Sequence, residues 1–256
     1  MPKSIAVVTG ASSGIGYATA LRLARDFQAV VLVARSRAGL EKAAEAIRSS
    51  GSEPTVVDID LSLPAAAGAV VQYTLDKHGR IDALLNLAGA VPAMDLFEMT
   101  DAQWNAGAEL KLHGARRLTI AAWEALKSSK GSVVLMSGVT AQVPTASAAA
   151  VAVINAAISA LAKAFADRGI ADGVQVNSVL PGAVMTDRRL AMIEKSAASG
   201  SMTIAEAMQK LLVRSGITRY GQPEEIAELM AFLVSPAARW MTGATLRMDG
   251  GEVKTV

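Results

Sequence analysis

Short runs of β-branched and aliphatic residues, too apolar to have a wet face, recur along this chain at intervals long enough to hold a helix. They are Val7-Val8, Val30-Val31-Leu32-Val33, Val56-Val57, Ala83-Leu84-Leu85, Val133-Val134-Leu135 and Val174-Gln175-Val176. A strand with one solvated face would alternate apolar and polar side chains. Continuous apolar runs instead suit parallel strands covered on both faces and joined by right-handed helical crossovers. The expected fold class is α/β, a doubly wound parallel sheet. Turn residues at Gly51, Pro54, Gly79, Gly131, Gly173 and Pro181-Gly182 punctuate the alternation, and no linker, repeat or low-complexity tract divides it. Residues 1–256 are therefore read as one domain.

The segment 183–216 breaks the pattern. It is helical in composition and is expected to form a helical flap over the carboxyl edge of the sheet, with Ser196 to Ser201 as a flexible stretch that lets it move. The uncharged stretch 131–162 contains Ser137-Gly138, Gln142, Pro144 and Asn155, so it reads as strand plus buried helix, and no membrane span is expected. Residues 1–4 lead straight into Ile5-Ala6-Val7-Val8, a first strand rather than a signal core. No cysteine is present, which removes disulfides and thiol metal sites and makes a reducing cytoplasm the expected compartment. His78 and His113 are the only histidines and lie in no ligand spacing, so no metal is expected. The net charge of +2 comes from scattered residues, without the basic run or aromatic stripe of a nucleic-acid surface.

The chemistry begins where the first strand ends. Thr9-Gly10-Ala11-Ser12-Ser13-Gly14-Ile15-Gly16 turns from strand into helix, with glycines where a backbone must approach a ligand and where helix must pack on strand. A strand before it and an amphipathic helix behind it make this a dinucleotide-binding turn, and the fold Rossmann-like. Gly10, Ser12, Ser13, Gly14, Ile15 and Gly16 are the candidate phosphate contacts. At the end of the second strand Ala34 stands where an acid would bond an NAD ribose, and Arg35 follows it. A guanidinium holds a 2′-phosphate that an acid would repel, so NADP(H) is favoured over NAD(H).

The Thr-Gly-x-x-x-Gly-x-Gly spacing resembles the short-chain dehydrogenase/reductase family, and the likeness runs through nearly the whole chain. Asp60-Leu61 is similar to the family's adenine-contacting pair, and Asn86-Leu87-Ala88-Gly89 to its Asn-Asn-Ala-Gly motif with one Asn replaced. Val176-Asn177-Ser178-Val179-Leu180-Pro181-Gly182, with Val184 and Thr186, is similar to the segment that cradles the nicotinamide carboxamide. Arg219 to Ala227 and Thr242-Gly243 through Asp249-Gly250-Gly251 match the closing pattern.

The resemblance implies an oxidoreductase acting on a small carbonyl or alcohol through Asn, Ser, Tyr and Lys. In the family the tyrosine exchanges the proton, the lysine lowers its pKa and holds the ribose, the serine orients substrate and the asparagine supports a relay water. Counted back from Asn177 and onward from Trp104, those positions carry Lys111, Gly138, Val151 and Asn155. A one-residue shift would return Ser137 to the serine role, but no shift supplies a tyrosine, because none lies between Tyr73 and Tyr220. Lys163 is read as a surface residue.

Two functions stay open. One is a reductase with a rearranged acid/base site, in which Lys111 reaches across to Asn155 and the ribose and so restores the charge. The other is a cofactor-binding protein without turnover, in which both changes are independent drift. Met185, Met192, Met202 and Met208 either line an apolar cleft under the flap or pack helices, and Trp104, Trp123 and Trp240 read as packing or interface anchors. The Ala-rich helix 147–166 can approach a second copy closely, and the family resemblance implies a homotetramer built on it and the fourth helix, with a dimer as the second choice.

Overall fold

In the computed structural model, which describes residues 4–255, all six expected strands form. Along β1 (Ile5–Thr9), Ile5 and Val7 enter the core on one side of the sheet and Ala6 and Val8 on the other, as the two-residue period of a strand requires. The other strands are β2 (Ala29–Ala34), β3 (Glu53–Asp58), β4 (Ala83–Asn86), β5 (Ser132–Met136), β6 (Gln175–Pro181) and β7 (Thr245–Met248). They pair in parallel in the order β3-β2-β1-β4-β5-β6-β7. The sheet is a doubly wound Rossmann-like one. The order reverses between β1 and β4, and the carboxyl ends of those strands open the crevice in which such folds bind ligands. No apolar run announces β7, which closes the edge beside β6 with Thr245 exposed and its other side chains only partly buried. Residues 1–3 of the lead into β1 lie outside the described residues.

The helices are α1 (Gly14–Leu23), α2 (Arg37–Arg48), α3 (Ala66–His78), α4 (Asp101–Ala108), α5 (Ala115–Ser129), α6 (Ala149–Asp172), α7 (Asp187–Ser199), α8 (Ile204–Ser215) and α9 (Pro223–Leu233). Leu23, Leu40 and Met230 from α1, α2 and α9 cover one face of the sheet, while Val70, Leu118 and Ile158 from α3, α5 and α6 cover the other. One π-helical turn, Glu109–Gly114, joins α4 to α5. The stretch Ala146–Asp172 is long and apolar enough to cross a membrane by length and composition. In this fold it buries Ile154, Ile158, Ala162 and Ala166, as a core helix does, and leaves Val153, Ala156, Ala160 and Ala164 exposed.

The interruption at 183–216 holds α7 and α8, which close on a small apolar core of Ala183, Ile193, Ala197, Ala207, Ile217 and Tyr220. Met185, Met202 and Met208 pack into it and Met192 is exposed, so of their two readings helix packing holds. The stretch read as flexible is mostly the last turn of α7, with Ser196 to Ser199 helical and Gly200 as the cap. Trp123 stacks on Phe165 and donates to Asp172, Trp104 packs beside Val91 and Ile154, and Trp240 is 99% exposed.

Candidate active site

The glycine turn is shaped by sterics. Gly10 (φ +69°) and Gly14 (φ +54°) hold left-handed backbone, and a Cβ on Gly16 would lie 2.1 Å from the Gly10 carbonyl oxygen. Ser13 caps α1 in extended conformation without a side-chain bond to the first turn. The helix therefore begins with amides aimed outward, the arrangement that binds phosphate. Thr9, buried at the end of β1, accepts bonds from the Leu87 and Ala88 amides at 2.9 and 3.0 Å. That hydroxyl ties the turn after β4 to the turn after β1, a role the motif spacing alone did not reveal.

Between these turns lies a cleft of about 430 Å³. Of the expected cofactor contacts, Gly10, Ser12, Ser13, Gly14, Ile15, Gly16, Arg35, Leu61, Ala88, Gly89 and Thr186 line it. Sequence reasoning did not anticipate Leu110, Met136, Asp187 or Arg188 in the lining. The other expected contacts do not line it. Asn86 is buried and donates to Thr119 Oγ1, and Pro181 is buried in β6. Val184 packs in the core, and Gly182 shares with it a second hollow beside Asp249. Asp60 accepts from the Ser62 amide and hydroxyl, which holds its carboxyl below the usual range, and it stands 3.9 Å from Arg35. Arg35 is 64% exposed, so this loose pair leaves its guanidinium free to turn to a ligand.

The far side of the cleft is built on Lys111, in the π-helical turn. Its stem runs over Gly89, where a Cβ would come within 2.9 Å of the lysine Cδ. Its ammonium donates to Asn155 Oδ1 at 2.5 Å and to the Ser137 carbonyl at 3.1 Å. Asn155, 3% exposed, uses its amide nitrogen to donate to Thr140 Oγ1 at 2.8 Å. A Cβ on Gly138 would fall 2.7 Å from that same nitrogen. Lys111, Asn155, Gly138 and Gly89 thus fit one another, and a larger residue at either glycine would displace the pair. Burial pushes the Lys111 ammonium down to about 8, with the positive field of Arg188 adding to it.

Ser137, considered for the serine role, is 4% exposed and gives its hydroxyl to the Asn155 carbonyl at 2.7 Å while accepting from Ser159. It is engaged with α6 rather than open to a ligand. Val151 packs with Val91, Ala150 and Ile154 under Met99 and Trp104. Among the described residues no group of histidines and carboxylates could hold a metal ion. Lys163 is exposed on α6, as expected of a surface residue.

A doubly wound sheet with a phosphate-type turn and a cleft at its switch point defines a nucleotide-binding α/β architecture. The chain belongs to the short-chain dehydrogenase/reductase family. The family model described as enoyl-(acyl carrier protein) reductase matches residues 10–252. The short-chain reductase protein NovJ of Streptomyces niveus is 32% identical over 97% of this chain and 94% of its own length. L-Sorbose reductase from Gluconobacter frateurii, solved with NADPH and L-sorbose, superposes with a TM-score of 0.95 at 28% identity, covering 99% of this chain and 98% of that one. NAD+-bound xylitol dehydrogenase superposes at 0.90 with 27% identity, covering 97% and 98%.

Proposed function

We propose that this chain is an NADP(H)-dependent reductase of small carbonyl compounds whose acid/base site has been rearranged around Lys111. The carrying observation is the fitted unit of Lys111, Asn155, Gly138 and Gly89. Independent drift would leave a lysine on the π turn free to face solvent; this one crosses to α6 and bonds the residue at the family's lysine position.

The residues present fit the cofactor. Gly10, Gly14 and Gly16 keep the cradle open, the α1 amides would hold the diphosphate, and Arg35 beside Ala34 would hold a 2′-phosphate. The nicotinamide cofactor, when bound, supplies the hydride. Lys111 holds positive charge on the far side of the cleft, and at neutral pH its ammonium is the acid that passes a proton toward the substrate oxygen through water. Asn155 and the Ser137 carbonyl position that ammonium. The segment 183–216 is the flap that closes the mouth, completing a single domain over residues 1–256. The exposed small-residue face of α6 suits a homotetramer built on this helix and the helical segment that carries Lys111, and the cysteine-free chain suits the cytoplasm.

Calorimetry tests the cofactor assignment: NADPH binds more tightly than NADH, and Arg35→Ala removes about tenfold of NADPH affinity while sparing NADH. Equal affinities in the parent protein would refute it.

A second reading, cofactor binding without turnover, draws support from Val151, which puts an apolar side chain where the family has its acid, and from the engaged Ser137 hydroxyl. Loss of a positioned acid slows reduction about 10²- to 10⁴-fold. Slow NADPH consumption with a carbonyl panel that vanishes in Lys111→Met supports the reductase; binding with no consumption supports the second reading.

A further inference from the structure

Lys111 and Arg188 are cations without a carboxylate partner among the described residues. Neutral oxygens hold both: the ammonium by Asn155 Oδ1 and the Ser137 carbonyl, and Arg188 Nη2 by the Val91 carbonyl at 2.7 Å. Arg188, exposed at the start of α7, lines the cleft, while Lys111 lies outside the lining with its stem packed on Gly89, which does line it. The two fields oppose each other, since Arg188 helps to depress Lys111. Like charges brought together without a counterion destabilise a site until an anion enters between them. Asp187, the one acid in the lining, is exposed and forms no ion pair with either cation.

Donors remain for such an anion. An ammonium has three N–H groups and a guanidinium five, and the contacts above use two and one. Place decides which anion. Ser137 follows β5 and Val91 follows β4, whereas Arg35 follows β2, three strand positions from β5 and so roughly 14 Å away across the sheet. The α1 amides would already serve the diphosphate. Arg188, with Lys111 one layer behind Gly89, therefore stands at the substrate's end of the cleft.

We propose that Lys111 and Arg188 form a two-cation subsite for a carboxylate on the substrate, which makes the preferred substrate an oxo acid rather than a neutral ketone. This rests on the reading of the cleft as a cofactor and substrate site.

The test uses titration calorimetry on the protein with and without NADPH. The probes are 2-oxobutanoate, 4-methyl-2-oxopentanoate and phenyl-2-oxoacetate, each against its primary amide. At least one acid should bind about tenfold or more tighter than its amide, the worth of a charge-assisted contact. Arg188→Gln should erase most of that gap, Arg188→Lys should keep much of it, and NADPH affinity should change less than about threefold in both. The proposal is overturned if acids and amides bind alike, if neither binds, or if Arg188→Gln weakens NADPH and leaves the acids untouched, in which case the cation serves the diphosphate. Failure of NADPH to bind would sink the reductase reading, yet the acid and amide comparison on the cofactor-free protein would still decide this one.

Discussion

The two sides of the switch point are built by different means. Beside β1 the site is made of backbone: Gly10, Gly14 and Gly16 admit no Cβ without a collision or strain, and the donors are helix amides. Beside β4 and β5 it is made of side chains, with Lys111, Asn155 and Arg188 reaching in from three separate helical segments. A backbone cradle has one steric solution. A charge carried on a long side chain can arrive from either of two neighbouring helices, provided the residues around it make room, as Gly89 and Gly138 do here. The first side is therefore the more constrained in sequence and the second the less.

The largest effect should come from breaking the rigid side. Gly16→Ala drives a methyl into the Gly10 carbonyl, a backbone atom that cannot swing away. Overpacking of this kind costs about 1–3 kcal/mol, and the displaced turn should lose NADPH binding altogether. Gly68→Ala on α3 is the control. Its Cβ meets nothing within 4 Å, and a helical Gly→Ala change stabilises by roughly 0.5–1 kcal/mol. Denaturant midpoints and calorimetry on both variants measure the contrast, and a Gly16→Ala protein that is stable and binds NADPH would remove the basis for calling this side rigid.

The side-chain half is sharpened by exchanging its partners. Asn155→Lys alone encloses two ammonium groups where one donor now meets one acceptor, and an uncompensated buried charge costs on the order of 3 kcal/mol. Lys111→Asn alone leaves the site without its charge. The double exchange restores one lysine and one amide, so the coupling in the cycle should reach about 1–3 kcal/mol in melting experiments, with NADPH affinity recovering in parallel. Additive effects would mean that the two residues are neighbours and nothing more, and drift would become the better account.

How far the sequence discloses each half follows from the same contrast. Continuous apolar runs identify six strands because both faces of a parallel sheet are buried, and the glycine turn is legible because backbone geometry leaves a direct mark on residue type. The short edge strand β7 has no such run and passes unread. Lys111 and Asn155 lie 44 residues apart, and only the register of a known family brings them together; their contact, and the burial that spends Ser137 on the α6 backbone, depend on packing. Val184, Pro181 and Gly182 carry the expected motif yet do not line the cleft. Arg188 gives no sequence signal at all, since its direction is set by how α7 docks against the turn after β4.

The smallest expected effect is the pH dependence that the side-chain half confers on stability. The folded state holds Lys111 at about 8 against an ordinary 10.5, because burial and then Arg188 disfavour its charged form. Below about 8 both folded and unfolded chains carry the proton, and the full destabilisation is present. Between there and 10.5 the unfolded chain keeps a proton that the folded chain has released, so stability rises with pH across that window and levels off above it. Lys111 as a whole is partly exposed, which screens the effect and ranks it last. Urea midpoints of the parent should therefore climb relative to Lys111→Met over the window, and Arg188→Gln should flatten the climb by removing the second cause. Any turnover should move the opposite way, falling as pH passes about 8 and the acid form of Lys111 is lost. Parallel midpoint curves for parent and Lys111→Met would show that the ammonium is solvated in the folded protein, and the side-chain half would then be a surface feature instead of an enclosed charge.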